Sequence, residues 1–139
     1  MTQETNLQKL DRFGRSAAFA ADPTEGLKQQ QALLHPDFTI VEADSLPYGG
    51  TYRGPEGWAT LIANVKKAWN PVRVTPQWTI GEPNGDKFGK MYRISGKSAL
   101  TGKAFDMQVF ELWEFKDGLI HSSTPYYFDT KALHDIHKV

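Results

Sequence analysis

The chain has 139 residues, with 16 basic and 16 acidic side chains and no cysteine. That length suits one domain, residues 1–139, able to bury a core without metals or disulfides, and the balanced charge removes the broad attraction that drives nucleic-acid or anionic-membrane binding. Disulfides, thiolate nucleophiles and cysteine metal sites are excluded, no apolar run approaches the roughly 20 residues that span a bilayer, and Met1 to Asp11 carries no apolar signal-peptide core. The expectation is a cytoplasmic protein with a small, near-neutral partner, neither membrane nor nucleic acid.

In chain order, Leu7, Leu10, Phe13, Ala17 and Ala21 recur at helical spacing and predict a helix from about 5 to 20 with one buried stripe. Asp22-Pro23-Thr24-Glu25 supplies an N-cap, a proline at the first helical position and an acid three residues after the cap. This second helix is expected to stop before His35-Pro36. A strand follows at Phe38 to Glu42, then a loop rich in turn formers, Ser45 to Gly50. Gly54-Pro55 opens a third helix, with Trp58, Leu61, Ile62, Val65 and Trp69 on one side, which ends at Asn70-Pro71.

From there the period changes to two. Val72, Val74, Trp78 and Ile80 alternate with polar residues, and Pro76 implies a bulge or an edge. Glu82 to Asp86 is a turn, and Phe88, Tyr92 and Ile94 belong to the next strand. Thr101-Gly102-Lys103 turns into a strand carrying Glu111, which meets the hairpin signal Asp117-Gly118. The last strand, about 119 to 128, leads to a polar tail open to a short helix. Helices at the front and an antiparallel meander at the back indicate an α+β domain with helices on one sheet face. Phe110 and Leu112 lie on the other side of the Glu111 strand, which makes the outer sheet face a candidate homodimer interface.

Two carboxylates stand out in this pattern. Glu42 shares a face with Phe38 and Ile40, and Glu111 shares one with Phe105, Met107, Val109, Trp113 and Phe115, because alternate strand residues point the same way. An unpaired ionised carboxylate in an apolar interior costs several kcal/mol or more. Three readings stay open. Both acids face one cavity, where repulsion and desolvation raise at least one pKa, each is tied to backbone amides, an arginine such as Arg53 or Arg93, or a tyrosine hydroxyl as a structural anchor, or the acids are simply exposed to solvent.

The stretches His35-Pro36-Asp37-Phe38, Leu46-Pro47-Tyr48-Gly49-Gly50-Thr51-Tyr52-Arg53-Gly54, Glu111-Leu112-Trp113-Glu114-Phe115-Lys116-Asp117-Gly118 and Tyr126-Tyr127-Phe128-Asp129-Thr130, in this element order, carry a resemblance. The chain resembles the SnoaL-like group of the nuclear transport factor 2-like superfamily, which also holds ketosteroid isomerases and polyketide cyclases. The resemblance implies a cystatin-like cone, with three N-terminal helices packed on a curved, mostly antiparallel sheet that encloses a pocket. It also implies that Glu42 stands where the isomerases keep their general base and Glu111 where they keep a protonated acid that donates a hydrogen bond. Both are one methylene longer than the aspartates of that family. Where the isomerases place an oxyanion-hole tyrosine, this chain has Phe13, so isomerisation of steroids is not the expectation; Tyr92 or Tyr127 could substitute only if geometry allows.

The sequence reading is therefore a small hydrophobic carbonyl compound handled without a cofactor by Glu42 as general base and Glu111 as neutral donor, in an isomerase, cyclase or dehydratase. The alternative is a ligand-binding or dimerisation domain of the same fold. Phe13, Ile40, Tyr48, Trp58, Tyr92, Met107, Val109, Trp113, His121 and Tyr127 are the expected ligand-lining residues. His121 enters that set by sharing parity with Ser123, Pro125 and Tyr127. His134 and His137 sit three apart in the tail with no third ligand at suitable spacing, so no metal site is expected.

Overall fold

In chain order the computed structural model has α1 (Asn6–Arg15), α2 (Thr24–Gln31), β1 (Leu34–Glu42), β2 (Gly50–Arg53), α3 (Gly54–Ala68) and β3 (Trp69–Ile80). Then follow β4 (Lys87–Ser98), β5 (Ala104–Lys116), β6 (Leu119–Tyr127) and α4 (Thr130–Ile136). Residues 3–16 and 22–139 are described; Ala17 and Ala21 of the predicted first helix lie outside them. The strands form one sheet in the order β2-β1-β6-β5-β4-β3. Every neighbouring pair is antiparallel except β1 with β6, so the α+β architecture is as the pattern indicated.

Several local rules act as the sequence suggests. Asp117 and Gly118 both have positive φ, 54° and 76°, the backbone that a two-residue hairpin with right-handed twist demands. Thr5 and Gln8 form a reciprocal capping box at the start of α1. Helix α2 starts at Thr24, one residue later than the proline-first reading, and Asp22 still accepts a hydrogen bond from the Thr24 amide at 3.2 Å.

Differences arise where pairing overrides local preference. His35-Pro36 lies within β1, where a register shift between Leu34 and Thr39 accommodates it. Strand β2 pairs with β1, although four residues are too few for alternation to reveal. Trp69, expected on the third helix, opens β3 and is fully buried. The bulge between Pro76 and Trp78 reverses strand parity. Val72 and Val74 therefore face the helices, while Trp78 and Ile80 emerge on the outer face at 47% and 58% exposure, beside Phe110 at 6.3 Å from Trp78.

Helix α1 is laid across two turns of the sheet. Asn6 donates to the Gly85 carbonyl at 2.9 Å, the Leu7 amide to Pro83 at 3.0 Å, and Lys9 to Gly118 at 2.6 Å. Buried Gln30 then joins three helices: its amide nitrogen donates to the Phe13 carbonyl at 3.1 Å, and its oxygen accepts from the Trp58 indole at 2.8 Å. Replacing Gln30 with Leu strands both partners away from water, and each buried orphan costs about 1 to 3 kcal/mol. Urea unfolding of Gln30→Leu is expected to show a loss of about 2 to 4 kcal/mol; an unchanged midpoint would remove this clamp from the account.

Candidate functional site

Between the helices and the sheet lies a cavity of about 380 Å³, the size of a small-molecule site. Its roof is Phe13 and Gly14 of α1 with Trp58, Leu61, Ile62 and Val65 of α3, and its floor comes from strands β1, β3, β4, β5 and β6. Three aromatic rings make one wall: Phe13 stands 5.1 Å from Trp58 and 5.2 Å from Trp113, and the two tryptophans are 6.4 Å apart. The position where a tyrosine was missed is thus filled by an apolar ring packed between two others.

Glu42 and Glu111 both border this cavity, at 3% and 9% exposure. Strand β6 separates their strands, so their backbones stand roughly 10 Å apart. Their surroundings differ. Glu111 accepts a hydrogen bond on each oxygen, from the Tyr92 hydroxyl at 2.9 Å and the Trp113 indole at 3.1 Å. Glu42 accepts from the Tyr127 hydroxyl at 3.2 Å.

Behind Tyr127 runs a directional chain. The Tyr127 proton is committed to Glu42, so the 2.8 Å contact with Tyr48 is a bond donated by Tyr48, and the Trp69 indole in turn donates to Tyr48 at 3.1 Å. Three donors therefore point along one line toward Glu42.

Burial pushes the Glu42 carboxyl up to about 8; the charge of Glu111 adds to the shift and Tyr127 opposes it. Burial also raises Glu111, but Lys90, Tyr92 and Trp113 all favour its charged form. Of the two, Glu111 has the surroundings that favour a carboxylate, and Glu42 is the one that burial and its neighbour push toward holding a proton.

Of the residues expected to line a ligand site, Phe13, Ile40, Trp58, Tyr92, Trp113 and Tyr127 border the cavity with the two glutamates. Tyr48, Met107, Val109 and His121 do not. Tyr48 lies one layer behind Tyr127, and Val109 is in register between Tyr92 and Tyr127, whose larger rings cover it. Met107 pairs with Ile94, about 13 Å along the strand from Glu111. His121 is displaced by a bulge between the Glu114–Ser122 and Phe115–Ile120 pairs; Ile120 takes the inward place, and His121 turns to His35, with ring centroids 5.0 Å apart.

The arginines considered as partners stand elsewhere. Arg93 bonds Asp106 at 2.7 Å, and Arg53 is exposed. Two cations border the cavity, Arg73 on β3 and Lys90 on β4, and Lys90 stands directly across from Glu111 in the β4–β5 register. It alternates with Phe88, Tyr92 and Ile94, which was the signal available for finding it. His137 contacts Ser98 at 2.9 Å, and among the described residues no cluster of three potential metal ligands occurs.

A model of the SnoaL-like domain matches residues 15–122. The chain belongs to this family. A search of curated protein sequences gives no match. Among solved structures, this SnoaL-like domain is similar to an NTF2-like protein from Burkholderia thailandensis, with 20% identity over 99% of this chain and 100% of that one and a TM-score of 0.82. It is similar also to TerC co-crystallised with polyporic acid, with 20% identity over 96% and 98% of the two chains and a TM-score of 0.77. A protein of ketosteroid isomerase-like fold from Catenulispora acidiphila, in complex with trimethylamine, aligns at 19% identity over 86% and 85%, with a TM-score of 0.68. At these identities the likeness establishes the fold.

The raised Glu42 carboxyl has a consequence for stability. Below its unfolded value near 4.5 both states carry the proton; between there and about 8 only the folded state keeps it. Wild-type stability therefore falls as pH rises through this window and levels off above it. Glu42→Gln lacks the group, so its stability relative to wild type is expected to grow from about pH 4 to about pH 8 by on the order of 4 kcal/mol. Urea unfolding across that range checks it, and a pH-independent difference between the two proteins contradicts the burial argument.

Proposed function

We propose that this SnoaL-like domain, residues 1–139 acting as one unit, moves protons beside the carbonyl group of a small hydrophobic compound, as an isomerase, cyclase or dehydratase does, using its own carboxyl groups. The observation that carries this reading is a pair of buried glutamates on one apolar cavity, with donor sets that push their protonation states apart. Such a pair furnishes an acid and a base together. The roles are exchanged relative to the sequence expectation: Glu111, ionised and held by Tyr92 and Trp113, is the base, and Glu42 is the acid that donates to the carbonyl oxygen. Family membership supports the reading, as does a structural neighbour co-crystallised with an organic ligand.

The test is deuterium uptake beside the carbonyl of 2-tetralone in heavy water, followed by NMR. Wild type is expected to catalyse exchange, and Glu111→Gln and Glu42→Gln to lower it by about 10² to 10⁴. Activity needs Glu42 protonated, so it is expected to decline as pH rises through about 8 and to decline again at acid pH as Glu111 takes a proton. Exchange undiminished in both variants sinks the assignment. Binding of the ketone without exchange favours the second reading, a ligand carrier, to which the commitment of both cavity tyrosine hydroxyls to glutamates points.

We further propose that the outer sheet face, with Trp78, Ile80, Phe110 and Tyr126, packs against a second copy of the chain. Those side chains form an apolar surface of the kind that marks interfaces. Sedimentation is expected to give a dimer for wild type and a monomer for Trp78→Lys; a monomeric wild type at tens of micromolar refutes it.

A further inference from the structure

In the acid-base reading Lys90 only favours the charged form of Glu111 from across the strands, yet its surroundings are specific. It borders the cavity opposite Glu111, and its ammonium nitrogen lies 5.9 Å from the centre of the Trp113 ring. Helix α1 passes over it at Gly14, where a β-carbon would come within 2.8 Å of that nitrogen and displace this flexible side-chain end. Among the described residues the nitrogen makes no hydrogen bond, and no carboxylate oxygen lies within 4.0 Å of it. A primary amine in a mostly apolar cavity, with no hydrogen-bond or ion-pair partner among the described residues and two carboxyl groups on the same walls, is arranged for attack on a carbonyl carbon.

We propose that Lys90 forms an imine with the aldehyde or ketone carbon of the compound that occupies this cavity. The proposal rests on the reading of the cavity as a carbonyl site and names the covalent step there. Burial lowers the Lys90 pKa against the opposing pull of Glu111 and Asp11, which enlarges the neutral fraction that can react. The amine lone pair forms the C–N bond while the carbonyl π pair moves to oxygen. That oxygen takes two protons in succession through Glu42, which is replenished from solvent, and leaves as water. The nitrogen sheds its two protons to solvent, and the C=N bond remains, with no change of oxidation state. Once protonated, the imine withdraws electrons from the adjacent carbon more strongly than the carbonyl did, which makes that carbon's proton easier for Glu111 to remove.

The experiment is reductive trapping of the full chain with 2-naphthaldehyde and sodium cyanoborohydride, read by intact mass and peptide mapping. Lys90 is expected to be labelled at least about tenfold faster than any other lysine, and Lys90→Arg to lose this fast adduct. Gly14→Ala, which displaces the amine, is expected to slow labelling. Adducts spread over exposed lysines, with Lys90 no faster, overturn the proposal. The two readings separate cleanly: labelled Lys90 with 2-tetralone exchange unaffected in Glu111→Gln keeps the imine and removes the acid-base assignment, whereas unlabelled Lys90 with Glu111-dependent exchange does the reverse.

Discussion

Withdrawing two carboxyl groups from water on one sheet face sets the terms for the structure around them. Glu111 is accommodated there because Tyr92, diagonal to it on β4, and Trp113, two residues along β5, each commit a donor to it. A one-residue slip of β4 against β5 would send the Tyr92 hydroxyl to the outer face and leave a buried charge short of a partner. The charge therefore enforces the register that also aligns the core. The same charge, acting across β6, helps keep Glu42 protonated, so the two acids acquire different characters from one arrangement.

Much of this was legible in the chain because alternation survives over long strands. Glu42 and Glu111 were visible as acids among apolar neighbours, and Phe13, Trp58, Tyr92, Trp113 and Tyr127 could be placed near them. What escaped was set by single-residue irregularities and by depth. A bulge turned His121 outward and brought Ile120 in, and parity counting cannot register a bulge whose cause is pairing with a distant strand. Val109 has the right parity but lies under larger rings, which depends on its partners in both neighbouring strands. Lys90 was passed over for the opposite reason, since a lysine in an apolar series reads as an exposed break unless its alternation with Phe88, Tyr92 and Ile94 is taken literally. The division of labour between the acids was beyond sequence altogether, because it follows from which hydrogen-bond donors reach each oxygen.

Phe13, a ring without a hydroxyl, shapes the cavity wall. Its ring closes an aromatic cluster with Trp58 and Trp113, and Gln30 holds both the Phe13 backbone and the Trp58 indole. Helix α2, which contributes only Gln30 to the cavity lining, thereby fixes the spacing of the two helices that do most of the roofing. Shape in this cavity is controlled from a residue whose own polar atoms face the helices.

Strand β3 ends the sheet, and it carries Pro71 and Pro76 with an irregularity at the second. A proline offers no amide proton, so this border presents an interrupted row of donors to any extended segment that approaches it. Fibril-like stacking through that side is hindered by the same residues that swing Trp78 outward. Exposed apolar surface and interrupted border thus arise close together, at the one irregularity beside Pro76.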